Sequence, residues 1–97
     1  MMAIAHALIV IEARSCLAAL AETAPTFGQS VFYERLLLRL DWLHGDDGPA
    51  CEPMPGVGRD ELQRRAETAI QQLVEFGIDA LSVELLLADL EDVSMLG

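Results

Sequence analysis

Between Gly45 and Gly58 the chain reads GDDGPACEPMPGVG, four glycines and three prolines in fourteen residues. Glycine carries a large entropic cost in regular structure, and proline removes a backbone donor while fixing its own φ. Neither helix nor strand survives at that density. The segment therefore divides the chain into two parts, and whatever regular structure exists must form on either side of it. A loop this long is uncommon in a compact domain, and its plainest role is a spacer that lets two helical hairpins pack together.

The flanking parts read as helix. No run shows the two-residue alternation of a half-buried strand, so no strands are expected. Four helices are expected, at about residues 3–22, 30–44, 60–76 and 80–93. The first is stopped by Thr23-Ala24-Pro25, because Pro25 disfavours helical geometry in the residue before it. For the second, Ser30 is the expected N-cap and Gly45 the expected C′ residue. For the third, Asp60 is the expected N-cap, with Gln63 completing a capping box. Gly77 should end that helix, with Ile78 making the apolar contact that follows a glycine stop. Asp79 should then cap the fourth. The expected fold class is all-α, a compact four-helix bundle-like domain formed by the whole chain, residues 1–97.

The third helix is cleanly amphipathic: Leu62, Ala66, Ala69, Ile70, Leu73, Val74 and Phe76 share one arc, and an i,i+4 pair is expected between Glu61 and Arg65. The first two helices are apolar nearly all round. Ile4, Leu8 and Ile11 point away from Ile9, Val10, Cys16, Leu17 and Leu20. In the second, Phe32, Leu36, Leu40 and Leu43 oppose Val31, Leu38 and Trp42. With 53% apolar residues in 97, a four-helix domain has more apolar surface than its own core takes up. A homodimer is the expected use of the excess, with Ile4, Leu8, Ile11, Val31, Leu38 and Trp42 at the interface; a different protein covering the same surface is the rival.

Charge is distributed as unevenly as hydropathy. From Ala66 to Gly97 there are seven acids (Glu67, Glu75, Asp79, Glu84, Asp89, Glu91, Asp92) and no base. The first forty residues are neutral and the middle carries −3, giving the total of −10. An acidic chain is poorly suited to holding a phosphate backbone or an anionic membrane surface directly. It is suited to a basic protein surface. Glu67, Glu75, Glu84, Asp89, Glu91 and Asp92 are the expected partner-binding residues on the exposed sides of the third and fourth helices, Glu84 and Glu91 on one flank of the fourth and Asp89 and Asp92 on the other; a solvated face that only confers solubility is the rival. By size and charge alone the chain is similar to the small acidic inhibitors of phages and mobile elements, anti-CRISPR proteins included. These act as nucleic-acid mimics on nucleic-acid-binding proteins, and the similarity rests on no motif.

Candidate chemistry is sparse. His44, Asp46, Asp47, Cys51 and Glu52 crowd the long loop, but their spacing matches no paired Cys/His zinc pattern, so a metal or thiol site there is a minor alternative. Gly56-Val57-Gly58-Arg59 lacks the lysine and hydroxyl ending of a phosphate loop. No nucleophile has an arranged base, and no catalytic residue or cofactor is expected. Cys16 and Cys51 are expected to be reduced thiols, Cys16 as a buried small hydrophobe and His6 as a packed histidine. The apolar N-terminal stretch lacks the basic start of a signal peptide and is interrupted by Glu12 and Arg14, so a soluble cytoplasmic protein is expected.

Overall fold

The computed structural model describes residues 4–44 and 56–94, with the side chains of Leu43, His44 and Ser94 left aside. Among the described residues four helices form: α1 (Ile4–Glu22), α2 (Phe27–His44), α3 (Arg59–Gln72), continued by a 3₁₀ segment (Leu73–Phe76), and α4 (Ala80–Ser94). Among the described residues there is no strand, and the all-α class expected from the sequence holds. Residues 45–55, with Asp46, Asp47, Cys51 and Glu52, lie outside the described residues, as does Gly45 as a helix stop.

The helix ends show how local chemistry sets the boundaries. α1 closes on Thr23, whose N–H and hydroxyl both donate to the Ala19 carbonyl, at 3.0 and 2.8 Å. α2 begins a full turn before the expected Ser30. Thr26 is the cap: its Oγ1 accepts the Gln29 N–H at 3.1 Å, and its carbonyl accepts the Ser30 N–H at 3.1 Å. Thr26 and Gln29 have the spacing of a capping box, and that signal outweighs Gly28, whose weak helix propensity points the other way.

Asp60 is likewise not a cap. Gly58 holds the cap position with extended backbone (φ −70°, ψ 158°), and Asp60 falls in the first turn beside Glu61. There the two carboxylates meet the positive end of the helix dipole. Gln63 closes no box; its amide donates to Glu67 and to the Leu90 carbonyl, both at 3.1 Å.

The end of this helix follows expectation. Gly77 adopts φ 93°, a conformation that side chains oppose. Its N–H donates to Val74 and that of Ile78 to Leu73, at 3.2 and 3.3 Å, the paired bonds of a glycine helix stop. The last turn tightens into the 3₁₀ segment, a common way to satisfy terminal carbonyls. Asp79 caps α4 as expected, accepting the Ser82 N–H at 3.0 Å.

α1 packs on α2 and α3, and α4 packs on the same two helices from the other side. Cross-helix contacts fix the directions. Arg14 meets Asp41, Arg65 meets Glu12, Arg59 meets the Leu20 carbonyl, Gln63 meets the Leu90 carbonyl and Arg39 meets Asp89. Contacting helices are thus antiparallel, and α2 and α3 run the same way. His44 and Arg59 stand at opposite ends of the molecule. An eighteen-residue helix is about 27 Å long at 1.5 Å per residue, a separation no short turn covers. Fourteen residues reach roughly 46–50 Å at full extension. Topology therefore requires a long connection, and the Gly/Pro segment is more than long enough to span it.

The core is built from Val10, Ala13, Cys16, Leu17 and Leu20 of α1, Tyr33, Leu36 and Leu40 of α2, Leu62, Ala66, Ala69, Ile70 and Leu73 after them, and Val83, Leu86, Leu90 and Val93 of α4. The α2 set corrects the expected one. Tyr33 is buried and Phe32 is 42% exposed, because packing on α1 and α4 rotates α2 so that the Tyr33-Leu36-Leu40 stripe faces inward. The Glu61–Arg65 pair is also replaced. Glu61 pairs with Arg64, while Arg65 crosses to Glu12 on α1 at 2.6 Å. A half-buried carboxylate on a neighbouring helix is less screened than one on the wet face. α1 is long and apolar enough to cross a membrane by length and composition, yet its Val10–Leu20 stripe lies in the core.

Candidate protein-binding surfaces

The expected acidic residues do not all face the same surroundings. Glu75, Glu84, Glu91 and Asp92 are exposed and Glu67 is half-buried, next to the Gln63 amide. Asp89 is held by Arg39 of α2 in an ion pair between half-exposed groups. Glu84 and Glu91, seven apart, share the flank of α4 turned away from α2, whereas Asp89 lies on the flank turned toward it. The base that the sequence lacks after Ala66 is thus supplied for Asp89 by another helix.

The arginines are largely committed within the fold. Arg14 holds Asp41 at 2.8 Å, Arg65 holds Glu12, Arg39 holds Asp89 and Arg64 holds Glu61. Arg59 donates to the Leu20 carbonyl at 3.0 Å and to Thr23 Oγ1 at 2.6 Å, and lies 5.7 Å from the centre of the Tyr33 ring. Its role is a clasp between the end of α1 and the starts of α2 and α3. In the sequence Arg59 stands out only as the end of Gly56-Val57-Gly58-Arg59, and nothing local marks it as a clasp. Arg35 is exposed.

The residues expected at an oligomer interface separate into two places. Ile4 and Leu8 are exposed on α1, with Ile11 half-buried behind them. Leu38 and Trp42 project from α2, 66% and 89% exposed, with Val31 half-buried on the same helix. Between α2 and α4 opens a groove of about 310 Å³, lined by Leu38, Arg39, Trp42, Ser82, Leu85 and Leu86. Leu81 and Leu85, 61% and 50% exposed, were missed from sequence. They fall one helical turn apart and outside the Val83-Leu86-Leu90 stripe, which was the available signal.

Among the described residues, two titratable groups are shifted. Burial, with the Glu12 carboxylate beside it, pushes the Cys16 thiol up to about 12. A covered, neutral thiol is a packing group and not a nucleophile. Burial also raises Tyr33, and Arg59 opposes that rise. His6 is packed, stacking on Phe76 with ring centres 4.8 Å apart. Among the described residues no three of His, Cys, Asp and Glu gather as a metal-holding group. Compared with protein-family models, curated proteins and solved structures, the chain finds no match in any of the three.

Proposed function

We propose that this chain is a non-enzymatic protein-binding module, a compact four-helix bundle that inhibits or modulates a basic partner. Its acidic surface on α3 and α4 docks on a positively charged protein face of the kind that otherwise holds nucleic acid. The observation that carries this reading is the allocation of charge. Arg14, Arg39, Arg64 and Arg65 each neutralise a carboxylate inside the fold, so the net −10 is expressed outward through residues such as Glu75, Glu84 and Asp92. Facing carboxylates and guanidinium groups speed encounter and select partners by sign, with a strong dependence on salt. Asp89, already offset by Arg39, contributes least to that field.

The test is affinity capture from the native cell at low salt, followed by a high-salt wash. A basic protein should be retained, released by salt, and lost when Glu67, Glu75, Glu84 and Glu91 are changed together to Gln. Equal retention by that variant eliminates electrostatic docking. A second reading, an assembly subunit or adaptor acting through apolar surface, is favoured by the exposure of Trp42. Association that persists in the high-salt wash would select it.

A further inference from the structure

The α2/α4 face combines a projecting knob and an open hole. Trp42 stands out from α2 with Leu38 one turn before it, while Leu81 and Leu85 stand out from α4, again one turn apart. The groove of about 310 Å³ between these ridges has Trp42 on one wall and Leu85 and Leu86 on the other. A patch that carries both a knob and an adjoining hole is complementary to itself. Related by a two-fold axis, each copy places its knob in the other's hole, the arrangement an isologous interface requires.

Charge on this face agrees with the same occupant. Arg39 and Asp89 neutralise one another beside the groove. Arg35, exposed one turn before Leu38, follows Glu34 on α2, and Asp92 lies two turns beyond Leu85 on α4. Both signs are therefore present on the outer sides of α2 and α4, and a second copy offers carboxylates to Arg35 and a guanidinium to Asp92. The carboxylates of Glu84 and Glu91 are on the flank of α4 turned away. A strongly basic partner would find little to neutralise here, and the face itself adds little to the repulsion between two chains of net charge −10.

We infer that the protein forms a two-fold homodimer through the α2/α4 face, with Trp42 of each copy seated in the Leu38-Leu85-Leu86 groove of the other. The interface differs from the one the sequence suggested, since it takes Leu81 and Leu85 from α4 and leaves out Ile4, Leu8 and Ile11. It takes Asp92 from the acidic docking surface, and a dimer would present the rest of that surface twice.

The chain has a single tryptophan, so its fluorescence reports on this position alone. Sedimentation equilibrium over micromolar concentrations should show the mass rising from 10.6 kDa toward twice that value, with Trp42 emission shifting to the blue in step. Trp42→Arg and Leu85→Arg should each weaken association by at least about thirtyfold, the loss expected on breaking a central anchor. Helical circular dichroism should be unchanged, because both side chains are exposed. Ile4→Arg and the quadruple Glu→Gln variant should leave the dimer intact. Three results would overturn the inference: a monomer at all concentrations, a dimer indifferent to both groove variants, or a dimer lost through Ile4→Arg. The quadruple variant separates the two readings, since it removes acidic docking while retaining the dimer.

Discussion

Replacing Arg59 with Met tests whether the clasp at the α1–α3 end holds the helices in register. Two hydrogen bonds from a charged donor disappear, one to the Leu20 carbonyl and one to Thr23 Oγ1. At the low end for charged donors each contributes about 1.5 kcal/mol. Contact with the Tyr33 ring, at 5.7 Å, adds about 0.5 kcal/mol. The Thr23 bond is exposed and water replaces part of it, so the expected loss is about 2–3 kcal/mol. With a urea slope on the order of 1.2 kcal/mol/M for a chain of this size, the midpoint should fall by roughly 2 M. The chain's single tyrosine adds a second readout. Arg59 opposes the burial-driven rise of the Tyr33 pKa, so Arg59→Met should move its ultraviolet titration to still higher pH. Arg59→Lys should recover part of the tyrosine shift but little stability, because a point charge cannot serve both acceptors as the guanidinium fork does. A loss below about 1 kcal/mol together with an unmoved tyrosine titration would refute the clasp.

Two further perturbations discriminate between neighbouring residues. Thr26→Ala should cost about 1 kcal/mol as a lost cap, whereas Ser30→Ala should change urea stability by no more than about 0.5 kcal/mol; the reverse order would restore Ser30 as the start of α2. Because the folded state holds the Cys16 thiol protonated up to about 12 from an ordinary 9.0, its contribution is complete below pH 9 and declines as pH rises through that window. The slope is at most about 1.4 kcal/mol per pH unit. Cys16→Ala should therefore flatten the alkaline loss of stability while leaving the part due to Tyr33, and urea titrations near neutrality and at pH 10–11 giving parallel profiles for both proteins would contradict this.

Where sequence and structure agree, the determining interaction is short in range. Gly77 must end a helix because its own φ is positive, and Asp79 caps the next because its carboxylate reaches a backbone N–H three residues on. The Leu62-Ala66-Ala69-Ile70 stripe of α3 and Leu73 after it are buried as their period implies, whereas Val74, expected on the same arc, is 43% exposed where the helix tightens into the 3₁₀ segment. Thr26 was equally local, and it was hidden because Gly28 weakens the helix signal that follows it. By contrast, nothing within α2 says that Phe32 is more exposed than Tyr33; a shift of one residue rotates a helix by about 100°, and neighbouring helices choose the rotation.

Period, composition and turn chemistry thus determined that the chain is helical, where α1 and the run from α3 to Phe76 stop, and that it is strongly acidic. Only the tertiary structure decided which acids stay uncompensated, since Asp89 finds its counter-ion fifty residues away on Arg39. It alone decided that Leu85 and Leu86 join Leu38 and Trp42 around one groove. Charge pairing and groove formation depend on distances through space between separate helices. Such distances follow from the order and direction in which the helices pack, which no single helix encodes.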